Sequence, residues 1–162
     1  MIRVGHGYDV HAFKEGDHVF LGGVRIECDK GVLAHSDGDV ALHALCDALL
    51  GAGGLGDIGL HFPDTDNQYC GADSRVLLRI VREKLMEIGS KPINLDVTII
   101  TEIPRVSPHI KDMQRCISED LGLPVDSVNI KATTTENLGF IGRREGIAAH
   151  AVAVVLSDGV RS

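Results

Sequence analysis

Asp9 and His11, in the run Asp9-Val10-His11, place a carboxylate and an imidazole two residues apart. On a β-strand, residues i and i+2 share a face, so these two side chains project together while Val10 turns away. Such a pair is half of a zinc site; it is also what a plain polar strand end looks like. His43 offers a third donor. It sits in the segment DVALHALCDALL, with Asp39 and Asp47 four residues to either side and therefore on its own helix face. Helix faces of that kind are usually just solvated, yet the residues flanking His43 are apolar. Asp9, His11 and His43 together would leave one tetrahedral position open, the pattern of a catalytic zinc. Asp39 or Asp47 is then expected to orient the second ring nitrogen of His43.

Two other segments carry polar chemistry. GDIGLHFPDTD concentrates Asp57, Asp64 and Asp66 in a loop, where carboxylates accept hydrogen bonds from sugar hydroxyls or simply shape turns. KATTTENLGFIGRR follows a strand with Thr133, Thr134 and Thr135, which offer hydroxyls and amides but are also good β-formers. Glu136 adds a carboxylate suited to a hard divalent cation beside phosphates. Arg143 adds a guanidinium fork for phosphate.

These residues need elements to hold them. Alternation predicts a strand over 1–11 and a hairpin over 18–27 that turns at Gly22-Gly23. A loop is expected over 30–38, a helix over 39–50 ended by the Gly-rich 51–54, and a polar loop over 56–72. A second helix is expected over 73–88, a strand over 94–101, and a third helix from Pro108 to near Gly122. A strand over 128–134, a loop over 139–144 and an apolar strand over 147–156 complete the chain. The fold class this predicts is α+β, a single domain over residues 1–162 with a mixed β-sheet and helices packed on one face. The bare face of that sheet, rich in apolar strands, calls for another subunit.

Composition narrows the partners. A net charge of -7 repels a phosphate backbone, and with aromatics at 4% and no Trp there are few stacking platforms, so nucleic acid is not an expected partner. No apolar run is long enough for a transmembrane helix, and the N-terminus has no signal-peptide core, so no membrane is expected. Cys28, Cys46, Cys70 and Cys116 are too widely spaced for a thiolate zinc knuckle and read as reduced thiols, which places the chain in the cytoplasm.

Four segments in this order, GHGYDVHAF, LAHSDGDVALHALCDALLGA, LGDIGLHFPDTD and NIKATTTENLGFIGR, resemble the signatures of the cyclodiphosphate synthase family of the non-mevalonate isoprenoid pathway. The resemblance spans nearly the whole chain. It implies zinc on Asp9, His11 and His43, and Mg²⁺ or Mn²⁺ on Glu136. His35 and Thr134 match the catalytic transition-state stabilisers, and Asp9, His11, His35 and Ser36 match substrate contacts. Asp57, Ile58 and Gly59, with Phe62, Pro63, Asp64, Thr65 and Asp66, match the segments that hold the methylerythritol phosphate. Thr101, Glu102, Ile103, Pro104, Arg105, Val106 and Ser107 match the loop that wraps cytosine and ribose. Thr133, Thr134, Thr135 and Glu136 match contacts to the diphosphate, and Phe140 and Arg143 complete the pattern. The family is a homotrimer whose sheets face its centre, with active sites between subunits and, in the central cavity, a place for an isoprenoid diphosphate. Three positions depart from the family pattern: Asn137 and Arg105 stand where Lys is common, and Arg144 where Gly is common. His150 stands where an acidic residue can line that cavity.

The implied reaction cyclises 4-diphosphocytidyl-2-C-methyl-D-erythritol 2-phosphate with release of CMP. The nucleophile is the substrate's own phosphate, already an anion, so no activated Ser or Cys is required. A zinc phosphohydrolase and a trimeric protein that binds isoprenoid diphosphate or metal are the competing readings.

Overall fold

Period-two alternation at the N-terminus becomes a long strand, β1 (Ile2–Lys14), in the computed structural model, which describes residues 1–158. A hairpin of β2 (His18–Leu21) and β3 (Val24–Glu27) follows and forms its own two-stranded sheet. The expected loop over 30–38 contains a three-residue edge strand, β4 (Gly31–Leu33), too short to leave an alternation signal. Next come α1 (Val40–Gly53), the single turn α2 (Ile58–His61) inside the predicted polar loop, and α3 (Ser74–Glu87). β5 (Ser90–Ile100) starts four residues earlier than expected. Pro92 argues against a strand there, and the ladder accommodates it with a register shift between Pro92 and Asn94. The remaining elements are α4 (Ile110–Leu121), β6 (Val128–Thr133), the one-turn α5 (Gly139–Gly142) where a loop was expected, and β7 (Gly146–Ser157).

The main sheet runs β4-β1-β7-β5-β6, antiparallel except for the parallel β5–β6 pair. Helices α1, α3 and α4 cover one face of this mixed sheet, so the single-domain α+β expectation holds. α1 is buried nearly all round, which is why its sequence shows little amphipathic pattern. It lies directly on β1 because β1 carries glycine at the crossing. A Cβ on Gly7 would sit 1.8 Å from the Ala44 carbonyl oxygen, and one on Gly5 would sit 1.8 Å from that of Ala48. This close approach brings His43 of α1 down to Asp9 and His11.

The opposite face of β1 exposes Ile2, Val4, Tyr8 and Val10, continued on β7 by Val152. His6 Nε2 and His150 Nδ1 meet there at 3.0 Å. No helix among the described residues is long and apolar enough to cross a membrane.

Candidate active site

Three donor atoms converge beside the start of α1. His11 Nε2 lies 2.9 Å and His43 Nδ1 3.1 Å from Asp9 Oδ2, and the two ring nitrogens are 3.1 Å apart. A tetrahedral ion with bonds of about 2.0–2.1 Å needs neighbouring donors about 3.3 Å apart. The triangle is close to that, and two imidazoles with one carboxylate are suitable donors for zinc. Burial pushes the Asp9 carboxyl up, but hydrogen bonds and charge from His11 and His43 outweigh it and bring it down to about 2. Burial likewise lowers His43, yet its bond to Asp9 and the charges of Asp9, Asp39 and Asp37 leave it raised overall. A metal and a proton therefore compete for His43.

The second ring nitrogen of His43 corrects an expectation. Neither Asp39 nor Asp47 reaches it. Asp39 is buried as the N-cap of α1, taking the Leu42 amide at 3.0 Å together with the Gly22 amide at 3.0 Å and the Gly23 amide at 2.7 Å. Burial and the charge of Asp37 push its carboxyl up to about 6, against the pull of the Gly23 and Leu42 amides. Asp47 accepts from the Ile58 amide at 2.7 Å and fixes the start of α2. Orphan amides at helix and hairpin ends take both carboxylates. His43 Nε2 instead meets Ser74 Oγ at 2.9 Å and Ser36 Oγ at 3.1 Å. Ser74 is bound in turn to Asp37. Ser74 and its link to Asp37 carry no signal in the sequence, because nothing near Ser74 shows that α3 starts beside α1.

These donors open onto a cleft of about 390 Å³ that also takes in His35, Ser36, Ile58, Gly59, Phe62 and Asp64, with Leu33 and Tyr69 as apolar wall. Asp57, Pro63, Thr65 and Asp66 do not line it. Asp57 caps α2 through the Leu60 amide at 2.9 Å, and Asp66 accepts from the Gln68 amide at 3.0 Å.

A second cleft of about 370 Å³ lies at the ends of β5 and β6. Thr101, Glu102, Pro104, Arg105, Val106, Ser107, Thr133 and Thr134 line it, while Ile103 uses its carbonyl to accept the Thr101 hydroxyl. Glu102 Oε1 holds the neighbouring turn by accepting from the Thr135 amide at 3.0 Å, the Thr135 hydroxyl at 3.3 Å and the Asn137 amide at 3.3 Å. Glu136 stands exposed at φ 53° in that turn. Farther on, Phe140 is exposed and Arg143 pairs with Glu145 at 3.0 Å. The two clefts share no lining residue, so His35 and Thr134 belong to different clefts of one chain.

The model of the YgbB family matches residues 2–156. A 2-C-methyl-D-erythritol 2,4-cyclodiphosphate synthase of Thioalkalivibrio sulfidiphilus is 65% identical over 96% of this chain and 98% of its own length. The bifunctional IspDF of Campylobacter jejuni is similar in structure, with a TM-score of 0.92 and 45% identity over 96% of this chain, which spans 42% of that longer protein. A CDP complex of IspF from Plasmodium falciparum matches with a TM-score of 0.84 and 34% identity, covering 98% of this chain and 97% of that one.

Proposed function

Since the chain belongs to the YgbB family, we propose that it catalyses the reaction for which its relatives are named, forming 2-C-methyl-D-erythritol 2,4-cyclodiphosphate in isoprenoid precursor synthesis. It is an enzyme, a phosphorus–oxygen lyase. The observation that carries this reading is the convergence of Asp9, His11 and His43 on one point at the wall of the cleft that holds His35 and Ser36.

In the substrate, 4-diphosphocytidyl-2-C-methyl-D-erythritol 2-phosphate, an oxygen of the 2-phosphate attacks the β-phosphorus. The bond from that phosphorus to the bridging oxygen breaks, and CMP leaves with the electron pair. The difficulty is folding two anionic groups together, and aligned intramolecular attack supplies up to about 7–11 kcal/mol. Zinc held by Asp9, His11 and His43 supplies a Lewis acid for a phosphoryl oxygen. Glu136 is the residue we assign to a Mg²⁺ or Mn²⁺ ion beside the phosphates. His35 and Thr134 donate hydrogen bonds to charge that develops on the transferring group.

The methylerythritol portion sits against Asp57–Gly59 and Phe62–Asp66, of which Ile58, Gly59, Phe62 and Asp64 face the first cleft. Cytosine and ribose lie against Thr101–Ser107 in the second cleft, Thr133–Glu136 contact the diphosphate, and Phe140 and Arg143 complete the set of substrate contacts. The CDP complex of the Plasmodium relative supports a cytidine nucleotide as ligand. One substrate must then span two clefts that are separate on one chain. We assign a homotrimer in which the second cleft of one subunit completes the first cleft of its neighbour. The exposed Ile2, Val4, Tyr8, Val10 and Val152 support it, since they give the bare sheet face an apolar surface to bury at the centre. An isoprenoid diphosphate would occupy that centre, beside His150. Residues 1–162 then form one catalytic domain. Four free cysteines suit a reducing cytoplasm.

A phosphorus NMR time course of the protein with substrate, zinc and Mg²⁺ tests the reaction. Two coupled cyclic-diphosphate resonances are expected to grow in step with CMP. Release of free phosphate, or an unchanged spectrum from metal-replete protein, would overturn the reading.

A further inference from the structure

His43 has two hydroxyls at nearly the same distance from Nε2, and their hydrogen-bond inventories differ. A neutral imidazole carries one proton. If Nδ1 is to face a metal with its lone pair, the proton must sit on Nε2 and needs an acceptor there. Ser74 is fully buried. Its hydroxyl donates to Asp37 Oδ1, and its amide donates to Asp37 Oδ2 at 3.0 Å. With its only hydroxyl proton committed, Ser74 Oγ can offer His43 nothing but a lone pair, at 2.9 Å. Asp37 is held in its turn by the Asp39 amide at 3.1 Å. Ser36 is different. It lines the cleft, and its Oγ accepts from the Gly38 amide at 3.3 Å. Among the described residues the only other partner of Ser36 Oγ is His43 Nε2, which cannot accept a proton while it carries one.

We propose that Ser74, locked by Asp37, is the positioning residue that sets the polarity of His43. It keeps the proton on Nε2, presents the Nδ1 lone pair to the metal, and so leaves the Ser36 hydroxyl proton pointing into the cleft for an anionic group of the substrate. The chain of donors runs one way, from His43 to Ser74 to Asp37. Reversing it would put the proton on Nδ1 and turn Ser36 inward. The two serines beside one imidazole thus have separate tasks, one toward the metal and one toward the substrate. This rests on the zinc reading of the Asp9, His11 and His43 site, but the readout that decides it is zinc affinity rather than turnover.

Zinc affinity of the metal-stripped protein, measured by chelator competition, is compared for Ser74→Ala and Ser36→Ala. Ser74→Ala is expected to weaken zinc about 10–100-fold. Ser36→Ala is expected to keep zinc affinity within about threefold and to raise KM. Ser74→Thr, which retains the hydroxyl, should recover most of the affinity. If Ser74→Ala does not fold, Ser74→Cys keeps the volume while offering only a weak acceptor and should show the same loss. Equal zinc loss in the two alanine variants, or none in Ser74→Ala, would overturn the proposal. A wild-type protein that takes no zinc at all would sink the metal reading itself, a different result from either.

Discussion

The two clefts of this chain are built in opposite ways. In the first, every candidate metal donor stands on a regular element, β1 or α1, and buried Ser74, bonded to half-buried Asp37, backs His43. In the second, the lining comes from strand ends and loops, and one half-buried carboxylate, Glu102, organises the adjoining turn by collecting backbone amides. Backbone conformation divides along the same line. The three non-glycine residues with positive φ among those described, Glu136, Asn137 and Arg144, all follow the second cleft. A charged ion demands fixed ligands, because a misplaced donor forfeits most of its interaction. A ligand gripped largely by backbone can tolerate a loop, provided something ties the loop down.

The largest expected effect sharpens this contrast at the first cleft. His43→Ala removes a donor that no neighbour replaces. Zinc binding should be lost, and turnover should fall by about a thousandfold or more, since metal charge stabilisation is worth several kcal/mol. Metal analysis alongside CMP release checks it. A zinc-free variant that still turns over would remove the metal from the first cleft's description.

Acid and base should also act on the first cleft in the metal-free protein. Asp9 is held at about 2, below its ordinary 3.8. A depressed carboxyl contributes stability above its unfolded value, and that contribution is lost as pH falls from 3.8 through 2. The shift corresponds to about 2–3 kcal/mol at most. His43 is raised, so its contribution is present below its ordinary 6.5 and is lost as pH climbs through the elevated value. Urea midpoints across pH should therefore fall on both sides, and Asp9→Asn should flatten the acid limb. Because zinc and a proton compete for His43, the stabilisation zinc adds should grow with pH. An acid limb that survives Asp9→Asn would assign it to other carboxylates.

At the second cleft, Glu102→Ala should free the Thr135 and Asn137 amides. The expected result is a rise in KM of about tenfold, equivalent to about 1–2 kcal/mol for one charged acceptor. Zinc affinity should stay unchanged. Loss of zinc on this substitution would mean that the two clefts are coupled within one chain and would break the comparison.

Legibility in the sequence followed the same division. Asp9 and His11 could be paired from the two-residue period of a strand, and α1 from its run of strong helix formers, because both depend on neighbours a few residues away. The partner of His43 could not. Asp39 and Asp47 have the right helical spacing, but backbone amides of the hairpin and of α2 claim them, while Ser74 arrives from another helix. Gly5 and Gly7 gave no sign of the helix crossing they permit, since the need for glycine appears only with α1 in place. At the second cleft, Glu102 reads as a substrate contact, yet much of its hydrogen bonding goes to the turn across a gap of over thirty residues. The start of β5 was hidden by Pro92, and β4, α2 and α5 are too short to carry a period.

The smallest expected effect concerns Arg144, which holds φ 59° at a position where the resemblance to the family implies glycine. A left-handed conformation costs a residue with a Cβ about 1–2 kcal/mol, and glycine gives back roughly 0.5–1 kcal/mol through its freer unfolded chain. Arg144→Gly should thus stabilise by about 0.5 kcal/mol and raise Tm by about 1–2 °C. Stability and KM together then separate two origins of the strain. If Tm rises and KM stays, the arginine is a tolerated departure and the loop after the second cleft needs only the backbone shape. If Tm rises while KM also rises, the strained turn holds Arg144 or its neighbour Arg143 toward the ligand, and stability is being given up for binding. No such trade is open to the first cleft, where the one positive φ among residues 34–43 already belongs to a glycine, Gly38.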